Sequence, residues 1–187
     1  MPLHNDFNWQ RHLIPHAKQI LANYLIGEAP DVEDMHRNTD LIVLTMNPVR
    51  VACRFRRNHY LTGPRGSQYA DEFTIRLTRP SGAMTELAKV LSGWGDFIFY
   101  GFARPDGEDG FAAWLIGSLH EFRNWHAHAL FNLPAGRLPG SSIPNADGSS
   151  EFMVYRVDDL PDGFVVARRR WDPPATHEQP DLAEVPF

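Results

Sequence analysis

Residues 41–56, LIVLTMNPVRVACRFR, carry the reading on which the rest of the chain depends. LIVLTM (41–46) is a short apolar run rich in branched side chains, Asn47 and Pro48 make a turn, and VRVACRF (49–55) alternates apolar with other residues. Branched side chains suit a pleated, half-buried surface, and alternation sends successive side chains to opposite faces. The two runs together predict a hairpin. Within the second, Val49, Val51, Cys53 and Phe55 share one face, and Arg50, Ala52, Arg54 and Arg56 share the other. The first face is expected in a core, with Cys53 as inert packing. The second is a row of guanidinium groups.

The same pattern recurs in EFTIRLT (72–78), where Phe73, Ile75 and Leu77 alternate with Glu72, Thr74, Arg76 and Thr78. Upstream, Leu13, Ala17, Ile20, Leu21, Tyr24 and Leu25 follow the three-to-four spacing of an amphipathic helix over 9–26, stopped by Gly27 and Pro30. An acidic loop follows at 28–39. Downstream, AMTELAKVLSGW (83–94) predicts a helix capped by Thr85 or Ser81. DFIFYGFA (96–103) predicts a strand, and FAAWLIG (111–117) a strand leading into a helix over 118–130. Residues 132–150, rich in proline and glycine, read as an irregular surface loop, and FMVYRV (152–157) with GFVVARRR (163–170) as a C-terminal hairpin. The expected fold class is α/β (α+β): a mixed, mainly antiparallel central sheet flanked by helices.

A chain of 187 residues, 43% of them hydrophobic, supports one well-buried core. The domain reading is a single globular unit over 1–171 and an acidic, proline-rich tail over 172–187. That tail holds four acids and four prolines, and it is expected to seat either on the arginine face or in an apolar groove or second subunit. No window approaches the roughly 18 apolar residues of a membrane span, so no membrane partner is expected. The single cysteine rules out an internal disulfide and a zinc site of several thiolates, and cytoplasmic residence is the expectation.

The net charge of -5 conceals a segregation. Sixteen of the 18 basic residues are arginine, and seven of these fall between 50 and 79: Arg50, Arg54, Arg56, Arg57, Arg65, Arg76 and Arg79. Only Asp71 and Glu72 oppose them, so the stretch carries 7 - 2 = +5. The planar guanidinium fork suits bidentate contact with phosphate or carboxylate, so the concentration points to an anionic ligand or, alternatively, to a solvated sheet face.

The order helix, strand, strand, strand, helix, strand, with Asp40 at the entrance to the first strand, resembles the PD-(D/E)XK nuclease-like superfamily over roughly residues 9–130. The resemblance implies a restriction-endonuclease-like sheet. It also implies Mg²⁺ held by Asp40 together with Glu28, Glu33 or Asp34, activating water for attack on a phosphodiester. The family's acid and lysine pair falls on Ala52 and Arg54, or on Arg54 and Arg56, where no carboxylate stands. Glu72 as the second metal ligand and Lys89 as the amine are the migrated replacements.

On this reading the catalytic set is Asp40, Glu72, Lys89 and Arg54, with Asp40 and Glu72 on the metal. Nucleic acid is held by Arg50, Arg54, Arg56 and Arg76, and Tyr100 serves as a stacking platform. The reading from a different class is a non-catalytic binding or regulatory protein, related to phage or defence functions, whose arginine face grips an anionic partner. Three further features have plainer readings. Glu86 and Lys89 share a helix face and pair with one another. Asp96 caps a turn or projects into a cleft. The histidines of HEFRNWHAHALF (120–131) lack the spacing that grips one metal.

Overall fold

The computed structural model describes residues 9–28, 41–43, 49–105, 108–145 and 147–172; of the side chains it describes those outside 23–48 and other than Ser67. The elements in chain order are α1 (Ile14–Leu25), β1 (Ile26–Glu28), β2 (Leu41–Val43), β3 (Val51–Arg56), α2 (His59–Thr62), α3 (Gly66–Ala70), β4 (Glu72–Thr78), α4 (Glu86–Leu91), β5 (Phe97–Ala103), β6 (Phe111–Ser118), α5 (Leu119–Asn132), β7 (Ser141–Pro144), β8 (Glu151–Arg156) and β9 (Val165–Arg169). The fold is mixed α+β. Its strands form a four-stranded sheet, β3-β5-β6-β9, a three-stranded sheet, β4-β8-β7, and the pair β1-β2. All pairings among the described residues are antiparallel except β3 with β5. No described helix is long and apolar enough to cross a membrane.

The four-stranded sheet is covered on both faces, which explains why FIFYGFA is apolar almost throughout. On one face Leu13, just before α1, and Ala17 and Leu21 within it pack against Phe55, Phe99, Phe111 and Ile116. On the other, Ile98, Tyr100, Phe102, Ala113 and Leu115 meet Phe73 and Ile75 of β4, Met153 and Tyr155 of β8, and Leu119 and Phe122 of α5. Of the two caps expected for the helix over 83–94, Thr85 is the one used, its Oγ1 accepting from Ala88 N; Ser118 Oγ caps α5 in the same way, accepting from Glu121 N.

Three expectations are corrected. The hairpin of 41–46 with 49–55 does not form: β2 pairs with β1, and β3 pairs in parallel with β5, Val51 opposite Phe97 and Phe55 opposite Gly101. The parallel pairing extends the apolar face that α1 covers. It needs Gly101, because a Cβ there would come within 2.6 Å of the Phe111 ring, which itself packs 5.2 Å from that of Phe55. The C-terminal hairpin is also replaced. β8 joins β4 and β7, whereas β9 joins β6 at the edge of the other sheet. Leu160 and Phe164, between them, are buried in the core shared by the two sheets, so the chain crosses that core instead of turning back. Lastly, the loop of 132–150 contributes the edge strand β7. The tail, apart from Asp172, lies outside the described residues.

Candidate nucleic-acid interface

β3 and β4 are edge strands of different sheets, and the chain between them folds into α2 and α3. Their arginines converge. The period of two puts Arg54 and Arg56 on the side of β3 that faces β4, while Val51 and Phe55 pack toward α1. Cys53, expected in the core beside them, is exposed instead, because α1 covers only part of that edge. The atoms crowding its thiol still push the pKa above the usual value, so the group stays protonated at neutral pH.

The guanidinium groups of Arg54 and Arg56 each donate to one specific partner. Arg54 Nη1 donates to Glu86 Oε2 at 2.6 Å, and the same oxygen accepts from Arg76 N at 3.3 Å. Glu86, the first residue of α4, therefore pairs across the groove with Arg54 and not along its helix with Lys89. Arg56 Nη1 donates to Thr74 Oγ1 at 3.0 Å, and Thr74 Oγ1 shares a 2.9 Å hydrogen bond with Tyr100 Oη. Rings set the planes. The Arg56 guanidinium lies 3.8 Å over Tyr60, and those of Arg54 and Arg76 lie 4.9 and 5.4 Å from the Phe152 ring.

These partners leave donors over. The Nε atoms of Arg54, Arg56, Arg76 and Arg79 are buried and have no hydrogen-bond partner among the described residues. A buried donor without a partner costs about 1–3 kcal/mol, more when it is charged. Burial also lowers the Arg76 pKa; Glu86 opposes that shift, and the charges of Arg79 and Arg54 add to it. Arginine nevertheless remains charged at any ordinary pH. Glu86 thus bonds the guanidinium of Arg54 and offsets the charge of Arg76.

The surface here forms two adjoining recesses joined at Arg54. One, about 560 Å³, is lined by Arg54, Arg56, Arg57, Arg65, Glu72 and Thr74 together with aromatic side chains. The other, about 490 Å³, is lined by Arg50, Arg54, Arg76, Lys89 and Glu86. In both, cations outnumber carboxylates four to one.

Of the residues singled out from sequence, Arg50, Arg54, Arg56, Arg76 and Lys89 line this double recess. Glu72 is buried at the edge of the first recess, where its Oε1 accepts from Gln68 Nε2 at 2.8 Å. Lys89 lines the second recess, so these two do not share one. Tyr100 is 1% exposed, and its ring packs edge-on against Phe73 and Phe102. No face of it is open for a base to stack on; it supports the groove from below through Thr74. Glu33, Asp34 and Asp40 lie outside the described residues, as does the side chain of Glu28. Among the described residues no group of three or more His, Cys, Asp or Glu is placed to hold a metal ion. Asp96 takes the turn role, accepting from Arg50 N at 2.8 Å. His126 is buried in the core, while His120 and His128 lie at the surface beside Asn124 and Asn132.

Sequence reasoning missed Tyr60, Thr74 and Phe152 as parts of the groove and the true partner of Glu86. Thr74, Phe152 and Glu86 act across gaps of many residues, so nothing local marks them, and Tyr60, four residues after Arg56, meets it only because the chain turns into α2 there. Comparison with protein-family models, curated proteins and solved structures finds no match for this chain.

Proposed function

We propose that this protein binds nucleic acid through its phosphate backbone, using the double recess along β3 and β4, without itself cutting the strand. The observation that carries the reading is the convergence of Arg50, Arg54, Arg56, Arg65, Arg76 and Lys89 on two adjoining recesses whose lining includes only two carboxylates, Glu72 and Glu86. A phosphate accepts from guanidinium N–H groups in pairs and neutralises the positive charge that Glu86 and Glu72 leave over. An acidic protein surface offers the same charge, but a phosphodiester chain offers it at a regular repeat along a groove.

The test is a titration of labelled single and double strands at two salt concentrations. Affinity should fall steeply with salt, because each neutralised phosphate releases counterions. Arg54→Ala with Arg56→Ala should weaken binding roughly tenfold or more and reduce the slope of log K against log salt by about 1.4 to 1.8, two contacts' worth. Unchanged affinity in a folded double variant overturns the proposal.

A second reading, Mg²⁺-dependent cleavage of DNA or RNA, draws on the buried carboxylate of Glu72 at the edge of an arginine-lined recess. Here Asp40 and Glu72 would hold the metal, and Lys89 or Arg54 would support the phosphate. A hard dication needs several oxygen ligands, and one carboxylate among four arginines suits an anion better. The metal reading therefore depends on Asp40. If it holds, wild type cleaves strands with Mg²⁺ or Mn²⁺ and Asp40→Asn abolishes cleavage without unfolding the chain; wild type that never cleaves any substrate removes it.

A further inference from the structure

Phosphate binding needs cations and donors, yet the larger recess is also walled by rings. Tyr60 and Tyr69 meet edge to face with centroids 5.7 Å apart, and Phe152 reaches in from β8. The Arg56 guanidinium, stacked 3.8 Å over Tyr60, lines the same recess. At about 560 Å³ the recess lies within the volume range of pockets that enclose a small molecule, and it has room for a nucleobase and its sugar. The cations on its β3 side are set back, the side chain of Arg54 only 16% exposed and that of Arg56 half-buried, whereas Arg57 and Arg65 stand exposed at its rim. The backbone of a regular duplex is wound around paired, stacked bases and presents a convex surface, which does not reach such a floor. An unpaired nucleotide does.

We propose that this recess takes an unstacked nucleobase, so that the ligand of the arginine groove is single-stranded nucleic acid. The base lies among Tyr69, Phe152 and the guanidinium of Arg56, and the flanking phosphates lie on Arg54 and Arg65. This rests on the reading that the groove binds nucleic acid, and it adds a base-dependent component to a purely electrostatic one. Stacking on a ring tolerates any base, because every base has a π-face, so little sequence preference is expected.

The experiment uses the full chain and fluorescence anisotropy with four probes: a short single strand, an abasic strand of equal length and charge, the corresponding duplex, and inorganic polyphosphate. The single strand should bind roughly tenfold or more tightly than the abasic strand. Tyr69→Ala should bring the single strand down to the abasic level while leaving the salt slope unchanged, which a general loss of charge or fold does not do. Tyr69→Leu, which keeps apolar bulk against Tyr60, guards against a folding defect and should show the same loss. Equal binding of the normal strand and the abasic strand or polyphosphate overturns the base recess and leaves phosphate binding standing. Tighter binding of the duplex overturns the single-strand assignment. No affinity for any probe overturns both.

Discussion

Replacing Glu86 by glutamine separates binding from stability, because the two should move in opposite directions. Glu86 Oε2 is the acceptor for Arg54 Nη1 at 2.6 Å and for Arg76 N at 3.3 Å. The amide keeps an acceptor oxygen but loses the charge that offsets the guanidinium groups of Arg54 and Arg76. The Glu86 side chain is 37% exposed, so solvent screens the pair, and its loss should cost about 1 kcal/mol at most. For a chain of this size that lowers Tm by about 2–4 °C. A bound phosphate about 6 Å from Glu86 is repelled by roughly 0.7 kcal/mol at the dielectric of water, so removing that charge should tighten binding about threefold at low salt. Arg54 already counts as a phosphate contact, so the salt slope should stay the same. Differential scanning fluorimetry and anisotropy on the same preparation read both quantities. A Glu86→Gln protein that is folded and binds a single strand no better than wild type refutes the assignment of this carboxylate as the counter-charge of an anion site.

Thr74→Val should cost about 1–3 kcal/mol, seen as a lower Tm, because it strands Tyr100 Oη and Arg56 Nη1 without their shared partner. Adding Tyr100→Phe should restore part of the loss, since it removes one of the stranded groups; a double variant less stable than the single one contradicts the bridge. Stability should also depend on His126. Burial lowers its pKa below the unfolded value near 6.5, so the unfolded chain binds the proton more readily. The neutral ring's contribution is complete above about pH 6.5 and is lost as pH falls from there toward the folded pKa; His126→Phe should flatten the Tm profile between about pH 7.5 and 5. Gly117→Ala should destabilise by about 1–3 kcal/mol in chemical denaturation, because its Cβ would come 2.6 Å from Phe164 Cζ.

The period of the side chains along each segment was legible from the residues alone. Alternation in 49–55 and 72–78 placed Arg54, Arg56 and Arg76 on polar faces, and the spacing of Leu13, Ala17 and Leu21 placed α1 on the core. Thr85 and Ser81 were the two candidate caps of α4, of which the structure uses Thr85, and the charge count marked the arginine cluster. These signals are local: a side chain's direction follows from the φ and ψ of its own residue, and a cap acts within one turn. Which strand pairs with which is not local. β3 pairs with β5 and not with its neighbour in sequence, and β8 parts from β9, because burying Phe55, Leu160 and Phe164 stabilises the structure more than a short turn does. The groove lies beyond the same limit. Glu86, Thr74 and Phe152 meet the arginines of β3 only after two sheets have packed together, so a charge count shows that arginines are concentrated, and only the tertiary structure decides which partners hold them and which recesses they line.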